Sequence, residues 1–313
     1  LATSDLCEVA ARDILKGLAT LPVLGIVGYG LWKGNRYYQE MNRNLLEDIH
    51  IALPGEMGTV SGEKIRIGIV GFGGRASYIA KSLGFLDPET IDKYENRAAK
   101  NKWWKDHLEQ FRQQEDLNVE ITAICDVYDI HAEEGMKAAA NIYRNGSGGK
   151  MGKLPKRYKT YKELISAPDV DVVIVTTPDH WHVTVALEAA RKGKHVYCEK
   201  PLSWTVEETY EIRKAVKDNG IVFQLGHQGR QTESYQVAQS LIKQGVIGDI
   251  SLIEVCTNRN SPNGAWVYKI DKEAGPANID WKQFIGPAPW HNFSLERFFR
   301  WRCWWDYSTG LSG

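Results

Sequence analysis

The sequence predicts an α/β protein built on a doubly wound parallel sheet, and three observations carry that reading. Apolar runs alternate with helical stretches, two of the runs (Ile65 to Val70 and Asp171 to Val175) are apolar and β-branched as strands covered on both faces are, and a glycine-rich turn follows the first run directly. The runs are Ile65 to Val70, Val119 to Cys125, Val170 to Thr176, His195 to Cys198 and Ile221 to Leu225. Helices are expected from about Arg75, Ile130, His180 and Thr205.

Helix ends are marked by residue chemistry. Thr205 with Glu208 forms a capping box, Asp87-Pro88 supplies an N-cap and first turn, and Gly193 and Gly220 follow helical stretches as terminators. Insertions interrupt the rhythm at about 86–117, which is charged and carries Trp103 and Trp104, and at about 143–158, where Asn145 to Lys153 holds four glycines. The expected organisation is a leader, polar helix and linker over 1–63, a nucleotide-binding domain over 64–200, and its last elements plus the start of a second domain over 201–313.

Composition narrows the function classes. Of 313 residues, 43% are hydrophobic and 25% charged, enough for sizeable cores and too apolar for disorder. Lys plus Arg (39) equals Asp plus Glu (39), and no basic cluster is interleaved with aromatics, so nucleic acid is disfavoured as a partner and a small molecule favoured. The cysteines (Cys7, Cys125, Cys198, Cys256, Cys303) form no C-x-x-C pair, and Cys125 and Cys198 end apolar runs, which argues against zinc or a disulfide framework. Six of the eleven tryptophans lie in the last fifth of the chain. Of these, Trp266, Trp290, Trp301, Trp304 and Trp305 are candidates either to stack on sugar faces or to fill an interface.

The N-terminal stretch reads as an export or anchor segment. Arg12-Asp13-Ile14-Leu15-Lys16 precedes an uncharged run from Gly17 to Trp32, followed by Lys33 and Arg36. It resembles a twin-arginine signal with Ala11 where the first Arg would stand, and residues 14–32 are a candidate membrane anchor. An exported, periplasmic or membrane-anchored location is expected, with a cytoplasmic protein carrying a buried helix as the alternative. The chain begins at Leu1 and stops at Gly313 within a Gly/Ser-rich stretch, so a piece of a longer protein is expected.

The strand ends carry the chemistry. Gly71-Phe72-Gly73-Gly74-Arg75-Ala76 matches G-x-G-x-x-A between a strand and a helix, where Gly71 makes the turn, Gly73 admits a pyrophosphate and Ala76 permits close helix packing. The alternative is a plain βα turn. Asp126 follows the second strand and would accept hydrogen bonds from the adenosine ribose hydroxyls, favouring NAD over NADP, although Arg75 could reach a 2′-phosphate. Thr177, Pro178 and His182 lie beyond the third run and are assigned to the cofactor crevice. The pair His180 and His182 has no third ligand at suitable spacing, so no metal is expected. Glu199-Lys200-Pro201 ends the next strand. Lys200 is the candidate acid/base: partly desolvated beside a cationic nicotinamide, its ammonium would give up a proton more readily, with Glu199 orienting it. The alternative is an exposed strand-end ion pair.

Together, the glycine turn, Asp126, Thr177-Pro178 with His182, and Glu199-Lys200-Pro201 resemble the Gfo/Idh/MocA oxidoreductase family, from about Lys64 to Gly313. The Pro178-Asp179-His180-Trp181-His182 run is similar to the exported, carbohydrate-acting branch. The resemblance implies a Rossmann domain followed by an α+β domain with an open, mostly antiparallel sheet, incomplete here, that floors the substrate site and often mediates homo-oligomerisation. It also implies that Trp301-Arg302 reach towards the nicotinamide and that the turn from Ser308 to Gly313 leads to an Asp and a His beyond the last residue. His227, Arg230 and Trp266, with Lys200, are the candidate substrate residues. The expected function is hydride transfer between NAD and a sugar or polyol. The alternatives are a glycoside hydrolase that uses NAD transiently, and a non-catalytic NAD-binding or assembly protein.

Overall fold

The computed structural model describes residues 62–114, 116–140, 152–229, 232–256 and 264–310. The leader, the linker before Gly62, Arg230 and most of the glycine-rich loop lie outside these residues. Of the described residues, those up to Gln228 and from Val255 onward belong to one compact unit, and those between to another. Among the described residues the second contains one helix, α8 (Glu233–Lys243).

In the first unit six strands form one parallel sheet: β1 (Ile65–Val70), β2 (Val119–Cys125), β3 (Lys156–Tyr158), β4 (Val172–Val175), β5 (His195–Glu199) and β6 (Phe223–Gly226), in the order β3-β2-β1-β4-β5-β6. The order reverses between β1 and β4, and there the crevice of a doubly wound sheet opens at the C-terminal strand ends. The central strands pair in register from Ile67↔Val172 to Val70↔Val175 and from Val172↔His195 to Val175↔Cys198. Ile69, Ile124, Val173, Val175 and Cys198 are fully enclosed, as both-face coverage requires.

Helices cover the two faces. α1 (Gly74–Ser82) and α4 (Asp129–Ala139) lie against β1 and β2 around Phe72, Ile79 and Ile124, while α5 (Tyr161–Ile165), α6 (His182–Arg191) and α7 (Val206–Asp218) cover the other face around Val173, Val185 and Ile212. Close packing sets residue size here: a Cβ on Gly135 of α4 would lie 2.7 Å from the Phe72 ring. Residues 86–117 fold into a helical hairpin, α2 (Pro88–Ala98) and α3 (Lys102–Arg112), closed by Leu86, Ile91, Leu108 and Phe111.

The expected helix signals operate. Asp87 accepts a hydrogen bond from the Thr90 amide, and Thr205 and Glu208 form the reciprocal capping box on α7. Thr205→Ala is expected to cost about 1 kcal/mol, measurable as a lower urea midpoint with an unchanged slope. One reading is corrected: Lys156–Tyr158, assigned to an insertion, is the edge strand β3. Three residues beginning with an exposed lysine give no periodicity to detect. The helix expected from His180 starts as a 3₁₀ turn, Asp179–Trp181, before α6.

The segment after β6 departs more. Among the described residues it forms no second sheet; from Val255 onward it gives the isolated antiparallel bridge Tyr128↔Ile279, two short helices, α9 (Trp281–Ile285) and α10 (Leu295–Phe299), and a 3₁₀ turn, Trp301–Cys303. These pack Trp281, Phe284, Phe298 and Tyr307 around Tyr128, over the strand ends. No described helix is long and apolar enough to cross a membrane.

Candidate functional site

A cleft of about 820 Å³ opens at the C-terminal ends of β1, β2, β4 and β5. Its floor is the β1–α1 turn. Gly71 has φ of +86°, and a Cβ there would lie 2.9 Å from the Thr177 amide nitrogen, so only glycine fits. Gly73 and Gly74 differ, because a Cβ on either meets nothing within 4 Å. Gly73 is also the N-cap of α1 and offers no side-chain cap, leaving the first-turn amides to face that open space. An anion fits there, held by the helix N-terminus. Ala76, fully buried, lets α1 lie close to the sheet.

Asp126 stands at the next strand end. Its two oxygens accept from the Phe72 amide at 2.5 Å and the Tyr128 amide at 2.8 Å, tying the glycine turn to β2. Burial pushes its carboxyl above the ordinary range, opposed by His131, whose Nδ1 lies 4.0 Å away, and by the two amides. Each oxygen keeps a further lone pair for a hydroxyl donor. Open glycines before a helix N-terminus and an acceptor carboxylate beside them suit the pyrophosphate and ribose of a dinucleotide.

Across the switch point, Thr177, Pro178, Asp179, Glu199 and Lys200 line the same cleft, as do Trp266, Trp301 and Arg302. Thr177 Oγ1 is buried without a partner. Lys200 is half-buried and joined to Pro201 by a cis peptide. The Arg302 guanidinium lies 4.0 Å from the Trp301 ring centroid and 5.1 Å from that of Trp266, in cation–π range of both.

The family model for the Gfo/Idh/MocA oxidoreductases, described as an oxidoreductase family with an NAD-binding Rossmann fold, matches residues 99–227. Residues 99–227 are thus similar to the NAD-binding Rossmann domain of that family. Levoglucosan dehydrogenase of Pseudarthrobacter phenanthrenivorans is 41% identical over 90 residues, 29% of this chain and 23% of that protein. A glycosyl hydrolase family 109 protein of Shewanella putrefaciens is 31% identical over 151 residues, 46% of this chain and 30% of that one. The crystal structure of myo-inositol 2-dehydrogenase from Lactobacillus plantarum matches with a TM-score of 0.43 and 22% identity, over 60% of this chain and 43% of that one. The chain spans a third or less of the length of these curated relatives.

Within this cleft several expected contacts differ. Glu199 does not orient Lys200 through a described contact; its Oε1 accepts from Arg75 Nε at 2.6 Å and from the Tyr197 hydroxyl at 2.9 Å. That pairing also occupies Arg75, the residue otherwise able to reach a 2′-phosphate. Gly226 permits it, since a Cβ there would lie 2.7 Å from Glu199 Oε1. His182 is buried, with Nδ1 2.6 Å from the Pro201 oxygen and Nε2 2.9 Å from the Thr177 oxygen. It braces the two turns that border the cleft rather than extending a free nitrogen into it. His227 is exposed and absent from the lining, where Gln228 appears instead, and Arg230 lies outside the described residues. Trp304 packs with Trp301 on the intramolecular cluster around Tyr128, whereas Trp290 and Trp305 are exposed.

Asp179 and His131 also line the cleft, with no role assigned to either from the sequence. Burial raises the Asp179 carboxyl above the carboxylate range, opposed by His182 and by a hydrogen bond from Ser308. Among the described residues no group of three or more His, Cys, Asp or Glu is placed to hold a metal. Cys125 is buried and its thiol pushed up to about 12, which makes it unreactive.

Proposed function

We propose that this chain is the cofactor-binding part of an NAD-dependent oxidoreductase acting on a hydroxyl or carbonyl carbon of a sugar or polyol. One observation carries the reading: the open glycine turn, the Asp126 carboxylate and Lys200 border a single cleft across the switch point of the sheet. The levoglucosan dehydrogenase match supports a carbohydrate substrate.

The first-turn amides of α1 would hold the pyrophosphate and Asp126 the adenosine ribose. When bound, NAD supplies hydride acceptance or donation at its nicotinamide. Lys200 takes up or returns the substrate hydroxyl proton at Nζ, so that no charge is stranded on the substrate oxygen. Arg75, held by Glu199, sets the wall between the glycine turn and β5. His182 keeps the Thr177 and Pro201 backbones at fixed separation.

NAD is favoured over NADP because a buried carboxylate repels a 2′-phosphate and Arg75 is already paired. Asp126→Asn keeps the size of the side chain but loses the charge. It is expected to weaken NAD binding roughly 10- to 100-fold, the range for hydrogen bonds to a charged acceptor, and to narrow the preference over NADP. Titration calorimetry with both dinucleotides measures this. Equal affinity of the unsubstituted chain for NAD and NADP would overturn the cofactor choice.

A second reading has its own support: the match to the glycosyl hydrolase family 109 protein covers more of this chain than the dehydrogenase match. In that reading oxidation is transient, acidifies a neighbouring C–H and is reversed after elimination. Accumulation of NADH with substrate favours the dehydrogenase. Glycoside cleavage without net NADH favours the hydrolase.

A further inference from the structure

The buried carboxyl of Asp179 has no part in the scheme above, yet it is tied to a segment 129 residues away. Its Oδ2 accepts from the Ser308 hydroxyl at 2.9 Å and faces the Thr309 amide at 3.4 Å. The Ser308 hydroxyl oxygen in turn accepts from the Gly310 amide at 3.1 Å, so Ser308, Thr309 and Gly310 all connect to this one carboxyl oxygen, directly or through the hydroxyl. The neighbouring amide of His180 reaches the Tyr307 carbonyl at 3.4 Å, a longer contact. Upstream, the Ser308 and Tyr307 amides donate to Trp304, and the Trp304 amide donates to Trp301. The chain from Trp301 to Gly310 is therefore a run of linked turns with Asp179 at its far end and Trp301-Arg302 at its near end.

Both ends face the cleft, since Asp179, Trp301 and Arg302 all line it. In a doubly wound sheet the adenosine half of a dinucleotide lies on the β1–β2 side, marked here by Asp126. The other half crosses to the β4–β5 side, where Asp179 follows β4.

We infer that Asp179 is a positioning residue for the nicotinamide half of the site: by holding the Ser308–Gly310 turn it fixes Trp301 and Arg302 as the wall of that half, without touching the adenosine half. The inference rests on the dinucleotide reading of the cleft. Burial of the carboxyl with its raised proton affinity agrees with this role, because such a group is kept only where donors converge on it.

The test compares two probes, NADH and ADP-ribose, which lacks the nicotinamide. Asp179→Ala in the 313-residue chain is expected to weaken NADH binding roughly tenfold, the effect of losing a charged acceptor, while ADP-ribose affinity stays within about twofold. Asp179→Asn, which retains an acceptor oxygen for Ser308, is expected to restore most of the NADH affinity. Circular dichroism melts show whether each variant is folded at the assay temperature. Equal weakening of both probes, no weakening of either, or no rescue by Asn overturns the role of Asp179 while leaving the cofactor reading intact. Failure of the unsubstituted chain to bind ADP-ribose overturns both.

Discussion

Lys200→Met in the complete enzyme is expected to lower kcat by roughly 10²–10⁴-fold, the range that a positioned acid/base contributes, while NAD affinity changes little. The separation follows from geometry. The groups suited to the pyrophosphate and adenosine ribose are the α1 amides and Asp126, on the β1–β2 side, whereas Lys200 is the first residue beyond β5. Methionine keeps the length of the side chain and removes the proton carrier, so the half-buried position stays filled. The measurement is single-turnover hydride transfer at saturating NAD, alongside dinucleotide titration. If turnover persists within about fivefold, proton transfer is carried by another group, and the raised carboxyl of Asp179 in the same cleft is the next to substitute. If NAD affinity falls as steeply as kcat, Lys200 is a binding residue, and the loss is one of uniform binding rather than of transition-state stabilisation.

What the sequence revealed about this site, and what it hid, divides by distance along the chain. Gly71, Gly73 and Asp126 were legible because each acts through its own strand end: the backbone dictates a positive φ, an open cradle or an acceptor within a few residues of an apolar run. The partners of those residues were not. Arg75 meets Glu199 across 124 residues and Asp179 meets Ser308 across 129, and no local pattern encodes either pairing. Glu199 was assigned to orient the adjacent Lys200, whereas its described partner is Arg75, a cation far away in sequence. His182 was assigned to the cofactor crevice from its place in the run after β4, but its partners, two backbone carbonyls, carry no side-chain signature. The helix caps at Asp87 and Thr205 were readable to the residue, because a cap is chemistry over four positions. The cover formed by α9 and α10 was not, since its aromatics are as consistent with an interface or a sugar platform as with the packing around Tyr128 that the fold gives them.

Acid is also expected to act on the cover, through His180. The ring Nε2 lies 2.8 Å from the Phe284 carbonyl oxygen, which the Trp181 indole N–H also reaches at 3.0 Å, and Nδ1 is buried without a partner. A neutral ring with its proton on Nε2 satisfies this arrangement; a second proton on Nδ1 would be stranded. Burial accordingly lowers the folded pKa from 6.5 to about 4. The sign follows directly. The unfolded chain takes up the proton as pH falls through 6.5 and the folded chain only near 4, so stability is intact above about pH 6.5 and is lost progressively down to pH 4. A shift of this size corresponds to about 3 kcal/mol over that window, a large share of a typical domain's stability. His180→Gln removes the titration and retains an amide donor for the Phe284 carbonyl. Urea midpoints between pH 7 and pH 4 are expected to fall less steeply in this variant, by about one proton per molecule near pH 5. Parallel pH profiles for the two proteins would show that His180 is not held neutral. A flattened profile would place an acid-labile point at the contact between the turn after β4 and α9.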